Sequence, residues 1–197
     1  MRELVVFDLE TTGLSPSEDE IIQIAASRIV DGRIDSDGGF FSYVRPRQRI
    51  DSFITGYTGI TNEDVRDAPA PLEVLEEFSL YCGDALLVAH NGHRFDIPFL
   101  KQVCRRRRCS VRDSCYIDSM HLSWRVWGRT RGMSHGLDSV VSRLRVRAAG
   151  VKRHDARGDV ALLARCVVGL LNRLERAADP GKVNVYPCVL PAARAGA

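Results

Sequence analysis

No Cys-x-x-Cys pair occurs among the six cysteines (Cys82, Cys104, Cys109, Cys115, Cys166 and Cys188), and no secretory signal is visible. The expectation is therefore reduced thiols in an intracellular, soluble protein, not a disulfide framework. Cys104, Cys109, Cys115 and His121 do not have the spacing of a common zinc finger. Long apolar runs are missing too: Asp8 and Glu10 interrupt the opening stretch, and Arg165 interrupts the stretch from Ala161 to Leu171. That excludes a membrane span. Lysine is scarce, with 25 of the 28 basic residues being arginine. The bias suits bidentate phosphate contacts, although codon usage alone could produce it. The net charge of +3 is too mild to announce a polyanion partner. Repeats and low-complexity linkers are also absent.

What is present is a chain of 197 residues, 45% hydrophobic and 27% charged, enough for one α/β domain with a real core. We place that domain at residues 1–178, followed by an irregular C-terminal tail at 179–197. Apolar runs at Leu4 to Phe7, Ile21 to Val30, Phe40 to Val44, Ala85 to Ala89 and Tyr116 to Met120 read as five strands. Thr61 marks a short helix and Pro71 a longer one, and Pro98 suits the first turn of a third. Leu137, Val140, Val141 and Leu144 repeat at helical spacing, and a last long helix begins near Arg157. Strands first, then strands alternating with helices, imply a mixed sheet flanked by helices.

Acidic residues fall where this pattern leaves little room for charge. Asp8 and Glu10 are two apart at the end of a strand, so their side chains share one face. Two carboxylates so placed need protonation, a basic neighbour or a cation, unless the strand end is solvated. Asp96 follows a strand exit at His90-Asn91 and a Gly92 turn, where it also serves as a first-turn helix acid. Asp159 lies in the first turns of the last helix. His154 precedes it by five residues, so helical pitch alone would not put the two on one face, and His154 must reach in from the connection.

FDLETTG (Phe7 to Gly13), HNGHRFD (His90 to Asp96) and HDARGD (His154 to Asp159) resemble, in order and spacing, the three motifs of the DEDDh (DnaQ-like) 3′-to-5′ exonucleases. TGITNEDVRDAP (Thr58 to Pro69) resembles a segment of bacterial polymerase III proofreading exonucleases, and SHGLDSVVSRL resembles the helix before the third motif. The resemblance covers about Arg2 to Leu174. The spacer before Asp96 and the Gly158-Asp159-Val160 ending are closer to the three-prime repair type. Two departures are Thr58, where many proofreading relatives carry histidine, and Asp155, an extra acid beside His154.

The resemblance implies an RNase H-like mixed five-stranded sheet in which Asp8, Glu10, Asp96 and Asp159 hold two Mg2+ or Mn2+ ions and His154 is the general base. Four carboxylates balance two dications, so the filled site can accept a phosphodiester. It further implies that Thr11, Thr12 and Leu14 grip the terminal nucleotide of a nucleic acid with a free 3′ end, single-stranded DNA by preference. The product would be a nucleoside 5′-monophosphate, in a repair or proofreading setting. RNA trimming and a non-catalytic binding module are the alternatives, and a homodimer or a polymerase partner is left open. Arg106 and Arg107, in the basic run from Lys101 to Arg112, are read as substrate-binding through phosphate contacts, against a role as cations at a helix C-terminus.

Overall fold

A computed structural model describes residues 3–36, 38–176 and 183–192. Alternation along the first strand, β1 (Leu4–Thr11), organises the rest. Val5, Phe7 and Leu9 face one core, while Leu4 and Val6 face another on the opposite side of the sheet. Continuing the second row by steps of two brings Asp8 and Glu10 onto the face of Leu4 and Val6.

The sheet is completed by β2 (Ile21–Val30), β3 (Arg33–Ile34), β4 (Phe40–Tyr43), β5 (Leu86–Ala89), β6 (Val111–Asp118) and β7 (Tyr186–Pro191). Its order is β3-β2-β1-β5-β6-β7, with β4 also paired to β2. β1 runs antiparallel to β2 and parallel to β5, and β6 joins parallel to β5 and antiparallel to β7. The mixed sheet is as expected, but among the described residues it has seven strands, not five. β3 is too short to carry a periodic signal. β7 lies in the stretch expected to be an irregular tail, and its backbone pairs with β6 from Val111↔Pro191 to Tyr116↔Tyr186. Pro187 and Pro191 argue against a strand in sequence, yet proline is tolerated at a sheet edge, where β7 sits. The rest of the expected tail lies outside the described residues.

Helix α1 (Ser52–Thr58) was not foreseen. Asp51 caps it, accepting a hydrogen bond from the Ile54 N–H at 2.8 Å, and Gly59 ends it at φ 79°, a left-handed conformation that favours glycine. The helix expected after Thr61 is instead a set of turns in which the Asp64 carboxylate accepts from the Thr61 N–H and hydroxyl. α2 (Pro71–Cys82) and α3 (Asp96–Arg107) cover the face of Val5, Phe7 and Leu9. α4 (Ser119–Trp127), α5 (Leu137–Leu144) and α6 (Ala156–Arg176) cover the other. Among the described residues no helix is long and apolar enough to cross a membrane.

The start of α6 is pressed against the sheet. Ala25, opposite Asp8 in the β1–β2 register, packs on Ala156 and Val160, small enough to admit the helix end. The buried Gln23 side chain accepts from the Ala156 N–H at 2.7 Å, satisfying a donor of the first turn. Gly158 is required for space: a Cβ there would lie 1.9 Å from the Lys152 carbonyl oxygen.

Leu190, fully buried against Tyr116 and the α2–α3 core, gives the edge strand an energetic test. Leu190→Ala is expected to lower unfolding free energy by about 2–4 kcal/mol in urea titration. A loss near zero would return this stretch to an irregular tail.

Candidate active site

Three chain segments meet where the parallel strands end. Asp8 and Glu10 arrive on β1, Asp159 on the first turn of α6, and Asp96 on the first turn of α3. One oxygen from each of Asp8, Glu10 and Asp159 lies within 4.8 Å of the other two, although 149 residues of sequence separate the last from Glu10. Asp96 is not in that tight group. It sits beside it, 1% exposed, and its charge raises the carboxyl pKa of both Asp8 and Glu10. Its Oδ1 is buried with no hydrogen-bond partner among the described residues.

These carboxyls resist ionisation. Burial, reinforced by the Asp96 and Glu10 charges, pushes Asp8 well above the ordinary carboxylate range, even though the residue keeps some exposed surface. Burial, then Asp155 and Asp96, moves Glu10 to about 7. Burial moves Asp96 to about 7 as well, with the Asp118 charge adding to it and backbone N–H bonds opposing it. A buried carboxylate oxygen without a donor, beside three converging acids, is what a divalent cation with oxygen ligands satisfies, and the donor set is hard throughout. The residues present therefore fit such ions.

His154 occupies the turn ahead of α6 in a left-handed conformation, φ 57°, which is how it escapes the helical pitch that separated it from Asp159. Its backbone N–H donates to Asp159 Oδ2 at 3.3 Å, and its ring packs on Tyr57 with centroids 4.0 Å apart. Partial burial, then the neighbouring Arg153, lowers its pKa. Asp155 does not oppose that shift. It is itself buried, paired with Arg157 at 3.0 Å and held below the ordinary range by that hydrogen bond.

The residues expected to hold substrate divide. Thr11 Oγ1 donates to the Gly13 carbonyl at 2.5 Å. The Thr12 hydroxyl bonds Asp19 and receives the Glu20 N–H and the Gln48 amide, while the Thr12 N–H donates to the Glu20 carbonyl. Both threonines are buried, and the Thr12 hydroxyl is engaged in shaping the loop. Leu14, at 84% exposure, is the group that loop presents outward. Arg106 departs further from expectation. Its guanidinium donates to the Ser17 and Asp19 carbonyls at 2.6 and 3.2 Å, pinning the same loop. Ten residues along α3 also put it about 15 Å from Asp96. Arg107 lines the same recess as Arg106, between that loop and α2.

Sequence reasoning missed Arg153, Asp118 and Tyr57. Asp118, at the end of β6, accepts from the Asn91, His93 and Met120 N–H groups and so fixes the turn that delivers Asp96. The acid-then-helix junction was its only signal. Arg153 forms an ion pair with Asp159 and another, at 2.8 Å, with Asp138. Nothing in sequence distinguishes it from the many other arginines.

Acids gathered at the strand ends of a mixed sheet, with a histidine on the neighbouring turn, form a donor set suited to divalent cations. The comparisons give it a family: the family model described as Exonuclease matches residues 5–167, and the chain belongs to that exonuclease family. It is 40% identical over 175 residues to a DNA polymerase III subunit epsilon-like protein of Rhodobacter capsulatus, covering 87% of this chain and 24% of that one. It is 35% identical over 173 residues to the PolC-type DNA polymerase III of Caldanaerobacter subterraneus subsp. tengcongensis, covering 88% and 12%. The chain thus spans a quarter or less of these relatives' lengths. Among solved structures, exonuclease X bound to 5′-overhanging duplex DNA matches with TM-score 0.68 and 23% identity over 91% of this chain and 95% of that one. The nuclease domain of 3′hExo, a DEDDh family member bound to rAMP, matches with TM-score 0.74 and 20% identity over 93% and 96%. At these identities the likeness establishes the shared fold.

The raised carboxyls fix the sign of a pH effect. From about pH 4, where unfolded Glu10 and Asp96 ionise, to about pH 7, the folded chain keeps protons that the unfolded chain has released. These carboxyls therefore lower the stability of the metal-free protein as pH rises through that window, against the opposite contribution of buried His90, whose pKa is lowered to about 4. Asp96→Asn is expected to raise the melting temperature in chelator at pH 8 by about 4 °C and to flatten the pH dependence. Scanning calorimetry showing Asp96→Asn no more stable than wild type at pH 8 would contradict the electrostatic account.

Proposed function

We propose that this chain is a metal-dependent 3′-to-5′ exonuclease that releases nucleoside 5′-monophosphates from DNA 3′ ends, preferring single-stranded or frayed termini. The observation that carries this reading is the convergence of Asp8, Glu10 and Asp159 beside the partnerless Oδ1 of buried Asp96. In it, Asp8, Glu10, Asp96 and Asp159 hold two Mg2+ or Mn2+ ions. When bound, such ions lower the pKa of the attacking water and stabilise the leaving 3′ oxygen.

The chain's own residues supply the rest. His154, whose lowered pKa keeps its imidazole neutral near pH 7, accepts the proton of the attacking water. Its left-handed backbone sets it in the connection beside Asp159, to whose Oδ2 its N–H donates. Leu14, on a loop stiffened by Thr12, Asp19, Gln48 and Arg106, wedges against the terminal nucleotide, a part that fits a free 3′ end. Arg107 and the exposed Arg105 and Arg108 form a basic surface farther along α3 that can follow a phosphate backbone. The polymerase III names of the two sequence relatives support a proofreading setting with a polymerase partner.

End-labelled DNA and RNA strands of matched sequence, incubated with Mg2+ or with chelator, test the reading. Shortening from the 3′ end of DNA only when Mg2+ is supplied is expected. Asp159→Asn is expected to lower the rate at least about 1000-fold, and His154→Ala about 100-fold with loss of the lower limb of the pH profile. Metal-independent cleavage, or undiminished turnover by Asp159→Asn, would overturn it. Faster loss of the RNA strand would reassign the substrate.

A further inference from the structure

Arg153 brings its own positive charge into the acidic cluster. Its Nη1 is in ion-pair contact with Asp159 Oδ1, while its Nε donates to Asp138 Oδ1 at 2.8 Å. The two partners differ in kind. The Asp159 side chain is 10% exposed and belongs to the proposed metal set, whereas that of Asp138, on α5, is 79% exposed. The contacts differ as well. The bond to Asp138 is a directed hydrogen bond, but the Asp159 contact joins two buried atoms, neither of which is otherwise hydrogen-bonded. Charge holds that contact, and what holds it is what a dication offers more strongly.

We infer that Arg153 is a tethered stand-in cation, which covers Asp159 while the site lacks metal and withdraws onto Asp138 when a divalent ion binds. The inference rests on the exonuclease reading of the same carboxylates. The charge arithmetic favours withdrawal. Four ionised carboxylates are neutralised by two dications, and a guanidinium left among them adds an uncompensated positive charge a few ångströms from each ion. The geometry permits it. The guanidinium already reaches the exposed Asp138, so release needs a side-chain rotation that re-pairs it there and not a shift of the backbone that places His154 next in sequence. The chain's affinity for metal is then set by competition, because an ion binds tightly only to the fraction of molecules whose Asp159 is uncovered. Where the guanidinium covers Asp159 nine-tenths of the time, apparent affinity falls about tenfold.

Calorimetric titration of the metal-free protein with Mn2+, without nucleic acid, reads this directly. Arg153→Gln and Arg153→Met are each expected to bind Mn2+ about tenfold more tightly than wild type, and to melt at lower temperature in chelator. Asp138→Asn, which removes the landing site, is expected to weaken Mn2+ binding about threefold. In the Arg153→Gln background the same Asp138 change should do nothing. Unchanged or weaker Mn2+ affinity in the Arg153 variants overturns the inference, as does an Asp138 effect that persists without the arginine. Should the Arg153 variants fail to melt cooperatively, Asp138→Asn alone decides between weakened and unaltered binding. A wild-type chain that takes up no Mn2+ would fail the exonuclease reading as well, whereas normal uptake indifferent to Arg153 fails this inference alone.

Discussion

Repulsion among a few carboxylates is the constraint around which this fold is arranged. Asp8, Glu10 and Asp159 are held together by a strand and a helix that pack into one core, so they cannot relax apart without opening the sheet–helix interface. The supporting elements share the burden unevenly. Asp96 and Asp159 each lie in the first turn of a helix, where unpaired N–H groups favour negative charge. Asp8 and Glu10 stand on a strand with no such relief. Asp8, crowded by Asp96 and Glu10, is raised well above the ordinary carboxylate range.

The same strand explains why rigidity and charge can coexist. One row of β1, Val5-Phe7-Leu9, packs on α2 and α3 along its whole length. The other starts as core at Leu4 and Val6 and becomes polar at Asp8 and Glu10, where the start of α6 replaces apolar cover with Asp159. Anchoring comes from the apolar row and the early half of the other, so the acids need contribute nothing to holding the strand. The close approach of α6 depends on smallness, with Ala25, Ala156 and Gly158 at the contact, and on Gln23 satisfying the helix start.

Much of this was legible from residue order. Period-two alternation put Asp8 and Glu10 on one face without any reference to family, and the motif order gathered Asp96, His154 and Asp159 around them. What escaped notice did so for identifiable reasons. β7 carries two prolines, which count against a strand unless one knows that it lies at an edge, and edge position is a property of the whole topology. α1 is too short to show a helical period, and its Asp51 cap and Gly59 stop are single-residue signals. The basic run on α3 reads the same whether its guanidiniums meet phosphate or carbonyl oxygen, and Arg106 turned out to meet carbonyl oxygen. Thr12 likewise looked like a hand extended to substrate, when its hydroxyl is the hub of the loop.

Two neighbouring arginines separate a permanent counter-ion from a movable one. Arg157 pairs with Asp155 two residues away on its own segment, and its guanidinium lies 4.4 Å over the Phe41 ring. Both contacts would be lost if it moved, and Asp155 is accordingly kept ionised, although its charge still helps to raise the neighbouring Glu10. Arg153 has the opposite design. Its partners come from different elements, one exposed and one buried, and only the exposed partner is engaged through a directed bond. A guanidinium stacked on an aromatic and locked in a local pair fixes charge in place. One suspended between an outer and an inner acid can exchange partners at nearly constant charge pairing, which is the property that the proposed displacement of Arg153 by a metal ion requires.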